Sequence, residues 1–438
     1  MPDRDPRPLL ISGATLVAPE RGRVLRDRSV LIEDGVIRAV EPRGVLERAG
    51  HETLDGTGRH LVPALADMHV HWWDPADWVL FAAAGVTTVR NMAGAPLHLE
   101  LDGRVRRGEL PGPRVVTASP VVDGMGEDGE SIWPGAQLLV HPEKAAALVD
   151  RYARDGYRQV KAYSWLRLDV LEALGRAAAD AGLPLVGHCP EGVTFEQAMA
   201  AGMRCFEHLL GIERGHLPAG TRLELRRRPA RSPAELRRLL AAVPRIDLDA
   251  IRRLAAAMAS AGVWNCPTLV LTTSARDPGA ALADPRLGLE RPATAASWAW
   301  AASSADPLLG RVQAARSEML ARVVSVLREE GAPLLAGTDS PNPYVFQGSS
   351  IHDELDALVA AGLTPAEALR CATTEAARFL GEADAWGTVA PGLRADLLLV
   401  AGSPLDDLAC LRDPDAVLAN GYRLCREDLR RLLAERLR

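Results

Sequence analysis

Two histidines stand one residue apart in the stretch ALADMHVHWW, where His69 and His71 close an apolar run. In a β-strand, residues two positions apart point to the same face of the sheet. Both imidazoles therefore face the same way at the end of the strand. Two neighbouring ring nitrogens suit a metal ion better than an apolar core. The stretch thus predicts one part of a metal site.

Four further polar side chains follow apolar runs elsewhere in the chain. They are Lys161 in RQVKAYS, His188 in PLVGHCP, His208 in RCFEHLLG and Asp339 in APLLAGTDS. Taken singly, either histidine could be a hydrogen-bonded core residue, and Asp339 could belong to a turn or a helix cap. The joint pattern favours a common site, because nitrogen and oxygen ligands of this kind suit zinc or a similar divalent ion.

The elements that must position these residues alternate short apolar runs with Ala- and Leu-rich helical stretches. Repeated strand-then-helix order predicts an α/β fold with a parallel sheet, and eight such units fit a (β/α)8 TIM-like barrel. The carboxyl ends of barrel strands converge on one mouth. Residues that are far apart in the sequence would therefore meet there.

The two chain ends read as short strands separated by turn signals, which predicts a small β-sandwich domain built from both of them. Stretches within 213–312 are rich in Arg, Pro and Ala and are predicted to be helical insertions. They could cover the site as a lid or extend into solvent. The predicted domains are 1–62 and 383–438 for the small β domain and 63–382 for the barrel.

The composition excludes several function classes. The chain has 438 residues, of which 47% are hydrophobic, and a net charge of −6. This mild charge makes nucleic acid a poor candidate partner. The sequence has no apolar run of the length that a membrane span needs and no secretory signal, so we expect a cytoplasmic protein. We expect a small-molecule substrate, and a homo-oligomer is compatible with the sequence.

The sequence resembles the amidohydrolase superfamily over nearly its whole length, with the weakest support in 213–312. Within that superfamily it is most similar to the imidazolonepropionase-like and Xaa-Pro dipeptidase-like metal-dependent hydrolases. One departure is Pro63-Ala64, where the superfamily usually has Pro-Gly. The segments that carry the resemblance are PALADMHVH, VKAY, VGHC, FEHLLG, VWNCPTLV, AGTDS and GTVAPGLRADLLLV.

The resemblance implies a centre with two divalent metal ions, zinc by default. It implies that carbon dioxide carboxylates Lys161 and that the resulting carbamate bridges the ions. Lysine is scarce here, with only Lys144 and Lys161 in the chain, which makes a lysine in a strand conspicuous. His69, His71 and Asp339 would hold one ion, and the other ligands would hold the second. These other ligands are His188 and His208.

The implied reaction is hydrolysis of an amide bond, as in a dipeptide or an N-acyl amino acid. A water activated by the metal ions would attack the carbonyl, with Asp339 as general base and acid. Trp72, Trp165 and Tyr163 are the candidate substrate-binding residues, because they adjoin the ligands and offer flat apolar area. Arg90 could assist Tyr163 in contacting a substrate carboxylate.

Three other functions stay open at this point. A mononuclear deaminase or cyclic amide hydrolase would use one ion, and Lys161 argues against it. A lactone or ester hydrolase could use the same centre. A non-catalytic binding module is the third alternative, and it would be marked by loss of a ligand, whereas all six are present.

Overall fold

The computed structural model describes residues 8–46, 51–126, 129–218 and 232–436. The chain begins with five strands whose inward-facing side chains, such as Ile11, Leu16 and Val30, form a small separate core. β1 pairs antiparallel with β2, which pairs antiparallel with β3, whereas β4 and β5 run parallel to β1. The strands are β1 (Leu9–Ala18), β2 (Arg23–Glu33), β3 (Val36–Pro42), β4 (Glu52–Asp55) and β5 (His60–Pro63).

The middle of the chain forms two parallel sheets. Three strands make the first sheet in the order β6-β7-β8, and six make the second in the order β10-β9-β11-β12-β13-β14. Their pairs are parallel throughout. The strands are β6 (Leu65–Val70), β7 (Val86–Asn91), β8 (Arg114–Thr117), β9 (Val122–Asp123), β10 (Gln137–Leu138), β11 (Val160–Ala162), β12 (Leu185–Gly187), β13 (Met203–Glu207) and β14 (Trp264–Cys266).

Isolated parallel bridges connect these sheets to each other and to the segment that carries Asp339. Ala118 pairs with Gln159, which links the end of β8 to the start of β11. Asn265 in β14 pairs with Leu334, and Val70 in β6 pairs with Ser340. The predicted α/β fold with parallel sheets is confirmed.

Helices connect most of the parallel strands. The helices are α1 (Trp78–Ala83), α2 (Pro96–Arg106), α3 (Ala145–Asp155), α4 (Leu168–Asp180), α5 (Phe195–Ala200), α6 (Pro233–Ala242), α7 (Leu248–Ala261), α8 (Leu269–Ser274), α9 (Pro278–Ala283), α10 (Pro292–Ser303), α11 (Pro307–Glu329), α12 (Ser350–Ala360), α13 (Pro365–Cys371), α14 (Thr374–Phe379) and α15 (Arg426–Arg436).

The crossover helix α7 shows how the sequence sets such an element. Asp247 caps its first turn by accepting hydrogen bonds from the N–H groups of residues 249 and 250. Its buried side chains recur at helical spacing, from Ile251 to Met258, and Gly262 ends it in a left-handed conformation. Because α7 connects β13 to β14, the range 213–312 contains a regular crossover helix in addition to extra helices.

The C-terminal strands complete the sheet that β1 to β5 begin. β15 (Leu397–Val400) pairs antiparallel with β5 and with β16 (Ala416–Ala419), which pairs with β17 (Tyr422–Cys425). The sheet has eight strands in the order β17-β16-β15-β5-β1-β2-β3, with β4 beside β1. Strands from both chain ends therefore belong to one sheet, and β5 leads directly into β6 and the predicted ligands.

Ala64, at the position where glycine is usual, lies between these two strands. Its N–H donates to the carbonyl of Asp396 over 2.9 Å, and its φ is not positive. Alanine adopts this conformation without strain, so the departure leaves β6 in place. None of the helices described above is both long and apolar enough to cross a bilayer.

Candidate metal centre

Five of the six predicted ligands lie at or just beyond the ends of parallel strands. His69 is in β6, and His71 follows that strand directly. Lys161 is in β11, while His188 and His208 directly follow β12 and β13. Asp339 does not follow a strand, contrary to the prediction. It follows the segment 334–338, which pairs with β14 through an isolated bridge at Leu334, and the next residue, Ser340, forms an isolated bridge to Val70 of β6. All six side chains are buried except that of His208, which is partly buried.

Three imidazoles converge on the carboxylate of Asp339. The Nε2 atom of His71 lies 3.0 Å from Oδ1, and the Nε2 atom of His69 lies 3.4 Å from the same oxygen. The Nε2 atom of His208 lies 3.7 Å from Oδ2. Potential ligand atoms of His69, His208 and Asp339 all lie within 4.8 Å of one another. This spacing is compatible with binding a single ion between them.

His188 and Lys161 extend the cluster on the side of β11 and β12. The ring centroid of His188 lies 5.1 Å from that of His208. Burial lowers the pKa of His188 well below its usual value, and the nearby Lys161 ammonium lowers it further. Lys161 acts in the same direction on the pKa of His69. The structure thus brings all six predicted residues into one cluster.

A second layer of polar groups fixes the orientation of the imidazoles. The Nδ1 atom of His69 lies 2.8 Å from Oε2 of Glu207, and the Nδ1 atom of His208 lies 2.7 Å from the hydroxyl of Thr268. The Nδ1 atom of His188 lies 2.9 Å from the hydroxyl of Ser164. Such partners fix the tautomer of a histidine ligand and direct its other nitrogen toward the ion.

The Arg90 guanidinium neutralises Glu207. Its Nη2 donates to both carboxylate oxygens of Glu207, over 2.8 and 2.9 Å, and its Nε donates to the carbonyl of Met68 over 2.6 Å. Arg90 is completely buried. The expectation that Arg90 assists in contacting a substrate is therefore wrong, because its donors are engaged beneath the cluster.

The apolar-run pattern of the sequence does not predict that Glu207, Thr268 and Ser164 orient the imidazoles. Glu207 had one local signal, since a charged residue at the end of an apolar strand needs a buried partner. Thr268 lies in CPTLV after β14 and has a positive φ of 46°. Nothing in its own segment indicates a contact with His208, which comes 60 residues earlier.

Asp67 attaches the two ligand-bearing segments to each other. Its carboxylate accepts hydrogen bonds from the Thr338 N–H (3.0 Å), the Thr338 hydroxyl (2.6 Å) and the His69 N–H (3.2 Å). Burial raises the pKa of Asp67 to about 7. Asp339 itself has a φ of 63°, an unusual conformation for a residue with a side chain, and strain of this kind clusters at functional sites.

The charges of the site act on one another in defined directions. Burial alone would raise the pKa of Asp339, but the imidazoles of His208, His69 and His71 lower it well below its usual range. Burial lowers the pKa of Lys161, against the opposing effect of the Glu207 and Asp339 carboxylates. Asp339 is thus ionised at neutral pH.

An aromatic wall, formed by Trp133 and Tyr163, borders the cluster. Tyr163 stacks on His188 with ring centroids 4.1 Å apart, and Trp133 lies 4.9 Å from His71. The two aromatic rings lie 6.1 Å from each other. Tyr163 is therefore placed beside the ligands, as predicted, and Trp133 joins it from a loop that the strand pattern does not mark.

Trp165 and Trp72, the two remaining predicted substrate-binding residues, lie in different surroundings. Trp165 is half-buried, and its backbone N–H donates to Asp123 over 2.6 Å. Trp72 has no exposed surface and packs on Phe81 with ring centroids 5.3 Å apart. The prediction for Trp72 is wrong, because its ring belongs to the hydrophobic core and has no surface left for a substrate.

Residues 60–423 match the sequence profile of the Amidohydrolase family. This match spans most of the chain, so the protein belongs to the Amidohydrolase family. The family comprises hydrolases that act on carbon–nitrogen bonds and generally depend on metal ions. The predicted resemblance is confirmed.

Among solved structures, a bottromycin amidohydrolase is 31% identical, with a TM-score of 0.80 over 99% of this chain and 90% of that one. A Xaa-Pro dipeptidase with bound methionine is 20% identical, with a TM-score of 0.70 over 95% of this chain and all (100%) of that one. A protein described as a prolidase, from Bifidobacterium longum, is 23% identical, with a TM-score of 0.70 over 98% and 99% of the two chains. The last two likenesses concern the fold alone.

A dihydroorotase from Trichlorobacter lovleyi is 39% identical over 67 residues. This match covers only 15% of this chain and 15% of the relative. It is therefore a local likeness, and it does not extend to the whole enzyme.

Proposed function

We propose that the protein is a metal-dependent hydrolase that cleaves an amide bond in a peptide or an N-acyl amino acid. The observation that carries this proposal is the convergence of three imidazole Nε2 atoms on Asp339, at 3.0 to 3.7 Å. Two of these rings are fixed through Nδ1 by Glu207 and Thr268. An acidic side chain ringed by oriented nitrogen ligands is an arrangement that suits a cation.

The donor set fits a metal centre on independent grounds. Oδ1 of Asp339 is buried without a hydrogen-bond partner among the described residues, although two imidazole nitrogens adjoin it. Polar atoms of this kind are costly unless a ligand satisfies them. His69, His71 and Asp339 would hold one divalent ion, and His188 and His208 would hold a second. Nitrogen and carboxylate ligands make zinc the first choice for both.

Lys161 is the residue that would join the two ions. Its side chain is buried in β11, which pairs with the strand that His188 follows. The Lys161 ammonium lowers the pKa of His188, and the Asp339 carboxylate raises the pKa of Lys161. An ammonium has no lone pair for a metal, whereas a carbamate offers two anionic oxygens. In forming it, the Nζ lone pair bonds to the carbon of CO2 and one N–H proton is released.

We also infer that the two parallel sheets close into the (β/α)8 barrel. The bridges Ala118–Gln159, Asn265–Leu334 and Val70–Ser340 would supply the closing contacts between the sheets. In such a barrel, loops at the carboxyl ends of the strands surround one mouth. This arrangement accounts for six ligands that come from five separate places in the sequence.

The side chains of the site would have separate roles in hydrolysis. The ions, when bound, would lower the pKa of water and polarise the substrate carbonyl. Asp339, which is ionised, accepts a proton from the attacking water and delivers it to the leaving nitrogen. The aromatic wall of Trp133 and Tyr163 binds the substrate beside His71 and His188 and keeps water from that side. Trp165, two residues after Tyr163 in the chain, would contact the substrate from the same side.

A cyclic amide hydrolase is the second candidate function, and the local likeness to dihydroorotase favours it. It ranks second because that likeness covers 15% of the relative, whereas the likeness to bottromycin amidohydrolase spans 90% of that chain. Both functions break a carbon–nitrogen bond.

The test is hydrolysis by metal-loaded protein of dipeptides, N-acyl amino acids, cyclic amides and lactones, compared in one panel. We expect turnover of linear amides that a chelator abolishes and added Zn2+ restores. Hydrolysis of cyclic amides alone would select the second candidate. Lack of turnover for every compound, despite bound metal, would overturn the proposal.

A further inference from the structure

A cavity of about 430 Å³, which we call the side cavity, begins at the predicted ligand His71. Its volume falls within the range of small-molecule sites. Trp133 and Tyr163 are not part of its lining, and Trp133 contacts His71 with ring centroids 4.9 Å apart. The residues of the side cavity that matter here are His71, Trp73, Thr294, Pro341, Glu290 and Gln347.

Most charges around the side cavity neutralise each other. Arg291 pairs with Asp74 and lies 3.7 Å from Asp77, while Arg436 lies 2.7 Å from Asp77. Glu290 differs, because it forms no ion pair within the described ranges of the chain. Its Oε1 accepts the backbone N–H of residue 347 over 3.2 Å. A carboxylate has about four acceptor sites, so Glu290 keeps acceptor capacity for a ligand.

Gln347 supplies a hydrogen-bond donor beside the Glu290 acceptor. Its side chain is only 5% exposed, yet its Nε2 has no hydrogen-bond partner among the residues that the structure describes. An amide donor that is buried and unpaired is unfavourable in the free protein. Its position in the wall of a cavity that reaches His71 indicates that a ligand supplies the missing acceptor.

We propose that Gln347 and Glu290 bind a second amide group of the substrate, beyond the bond that is cleaved. The Nε2 of Gln347 would donate to its carbonyl oxygen, and the Glu290 carboxylate would accept its N–H. An amide offers one acceptor and one donor, which this pair matches. A carboxylate would satisfy only Gln347, and an ammonium only Glu290.

The space behind this pair accommodates the group attached to the second amide. Glu290 and Gln347 also line a neighbouring cavity of about 290 Å³. Much of its remaining lining is apolar, and it includes Leu80, Leu289 and Phe346. An apolar side chain that follows the second amide would be buried there.

This inference rests on the proposed function and narrows its substrate class. The substrate is a peptide with at least two amide bonds, of which one is cleaved and the other is recognised. A plain dipeptide has only the amide that is cleaved, so it offers no second amide to Gln347 and Glu290.

The experiment uses metal-loaded protein and matched libraries of mixed dipeptides, their N-acetyl derivatives and their C-terminal methylamides. Each derivative adds one amide to the same dipeptide. We expect one of the two derivatives to raise kcat/KM about 10- to 100-fold, mainly through KM, because a buried donor and acceptor become paired. N-methylation of the added amide should remove this gain.

The variant Gln347→Met removes the donor at nearly constant volume. It should reduce the ratio of kcat/KM between the extended substrate and its parent dipeptide toward one. Gln313→Met on α11, which lines neither cavity, is the matched control and should keep the wild-type ratio.

The outcomes separate the two proposals. A ratio near one in the wild type, or an equal ratio in Gln347→Met, overturns this inference and leaves the proposed function standing. N-methylated and unmethylated compounds with equal rates also overturn it, without any variant. Hydrolysis of no library member at all overturns the proposed function and this inference together.

Discussion

The Glu207 carboxylate lies 2.8 Å from Nδ1 of His69 and binds Arg90 through both of its oxygens. Arg90 lies in β7 and Glu207 ends β13. This buried ion pair therefore connects two parallel strands to the imidazole of His69, which faces Asp339. Burial alone would raise the pKa of Glu207, but Arg90 and Lys161 lower it. The carboxylate is therefore ionised and can fix the tautomer of His69.

Glu207→Gln should lower metal affinity by about 10- to 100-fold, because His69 loses its charged orienting partner. It should also lower the free energy of unfolding by about 3–5 kcal/mol, since Arg90 is left as an unpaired buried charge. Metal titration and chemical denaturation measure the two effects. The control Glu109→Gln removes the exposed partner of Arg107 and should change neither. Unchanged metal affinity in Glu207→Gln would contradict the orienting role.

Thr268→Val should weaken binding of the metal that His208 holds, again by about 10- to 100-fold, because the hydroxyl beside Nδ1 is replaced by a methyl group. Thr268→Ser keeps the hydroxyl and should bind metal as the wild type does. Calorimetric titration of metal-free protein gives both affinities. Equal weakening in the two variants would show that packing, and not the hydrogen bond, matters here.

Lys161→Ala should reduce the metal content from about two ions per chain to one or fewer and abolish hydrolysis, because the bridging group is lost. Lys144→Ala replaces the other lysine, which is exposed, and should have the wild-type metal content. Elemental analysis of dialysed protein measures the ratio. Full metal content together with full activity in Lys161→Ala would remove the proposal of a bridged pair.

Trp133→Ala should affect substrate binding, whereas Trp72→Ala should affect the stability of the fold. Trp133 belongs to the aromatic wall, so its loss should raise KM while the unfolding midpoint changes little. Trp72 is fully buried, and its truncation should lower the free energy of unfolding by about 3–5 kcal/mol. Steady-state kinetics and thermal unfolding of both variants test this contrast, and a large KM effect confined to Trp72→Ala would reverse the assignment.

Glu354 should make the stability depend on pH. It is fully buried, and burial raises its pKa from 4.5 to about 8, although its Oε2 accepts the Val270 N–H over 2.7 Å. The unfolded chain ionises this group near pH 4.5 and the folded protein only near pH 8. Its contribution to stability is therefore present below pH 4.5 and is lost as the pH rises to about 8.

Glu354→Gln keeps the acceptor and removes the titration. The unfolding midpoint of this variant, relative to the wild type, should rise steadily between pH 5 and pH 8 and then stay constant. The exposed Glu318→Gln is the control and should show a constant difference. A constant difference for Glu354→Gln as well would mean that this carboxyl group titrates normally.

The apolar pattern locates five of the six ligands because they lie in or directly after segments that fold locally as strands. It also marks Asp339, although the segment before this residue forms only isolated bridges. His188 after β12 and His208 after β13 follow from their own segments. The contact of His208 with Thr268 could not be read in this way, since it depends on which strands become neighbours. The same holds for Glu207 and Arg90, which lie 117 residues apart.

Two errors have physical causes that are visible in the structure. Sequence proximity to His71 places Trp72 near the site, but the hydrophobic effect buries its large apolar ring in the core. The expectation that Arg90 contacts a substrate carboxylate fails because a guanidinium within β7 is buried and must be paired inside the protein. The metal identity, the carbamate, the oligomeric state and the cytoplasmic location stay predictions.

The central claim is tested most directly by anomalous X-ray diffraction from crystals of zinc-loaded protein, collected on both sides of the zinc absorption edge. We predict two peaks, one at His69, His71 and Asp339 and the other at His188 and His208, with density extending from Nζ of Lys161 between them. A loaded crystal with no anomalous peak among these side chains would contradict the account.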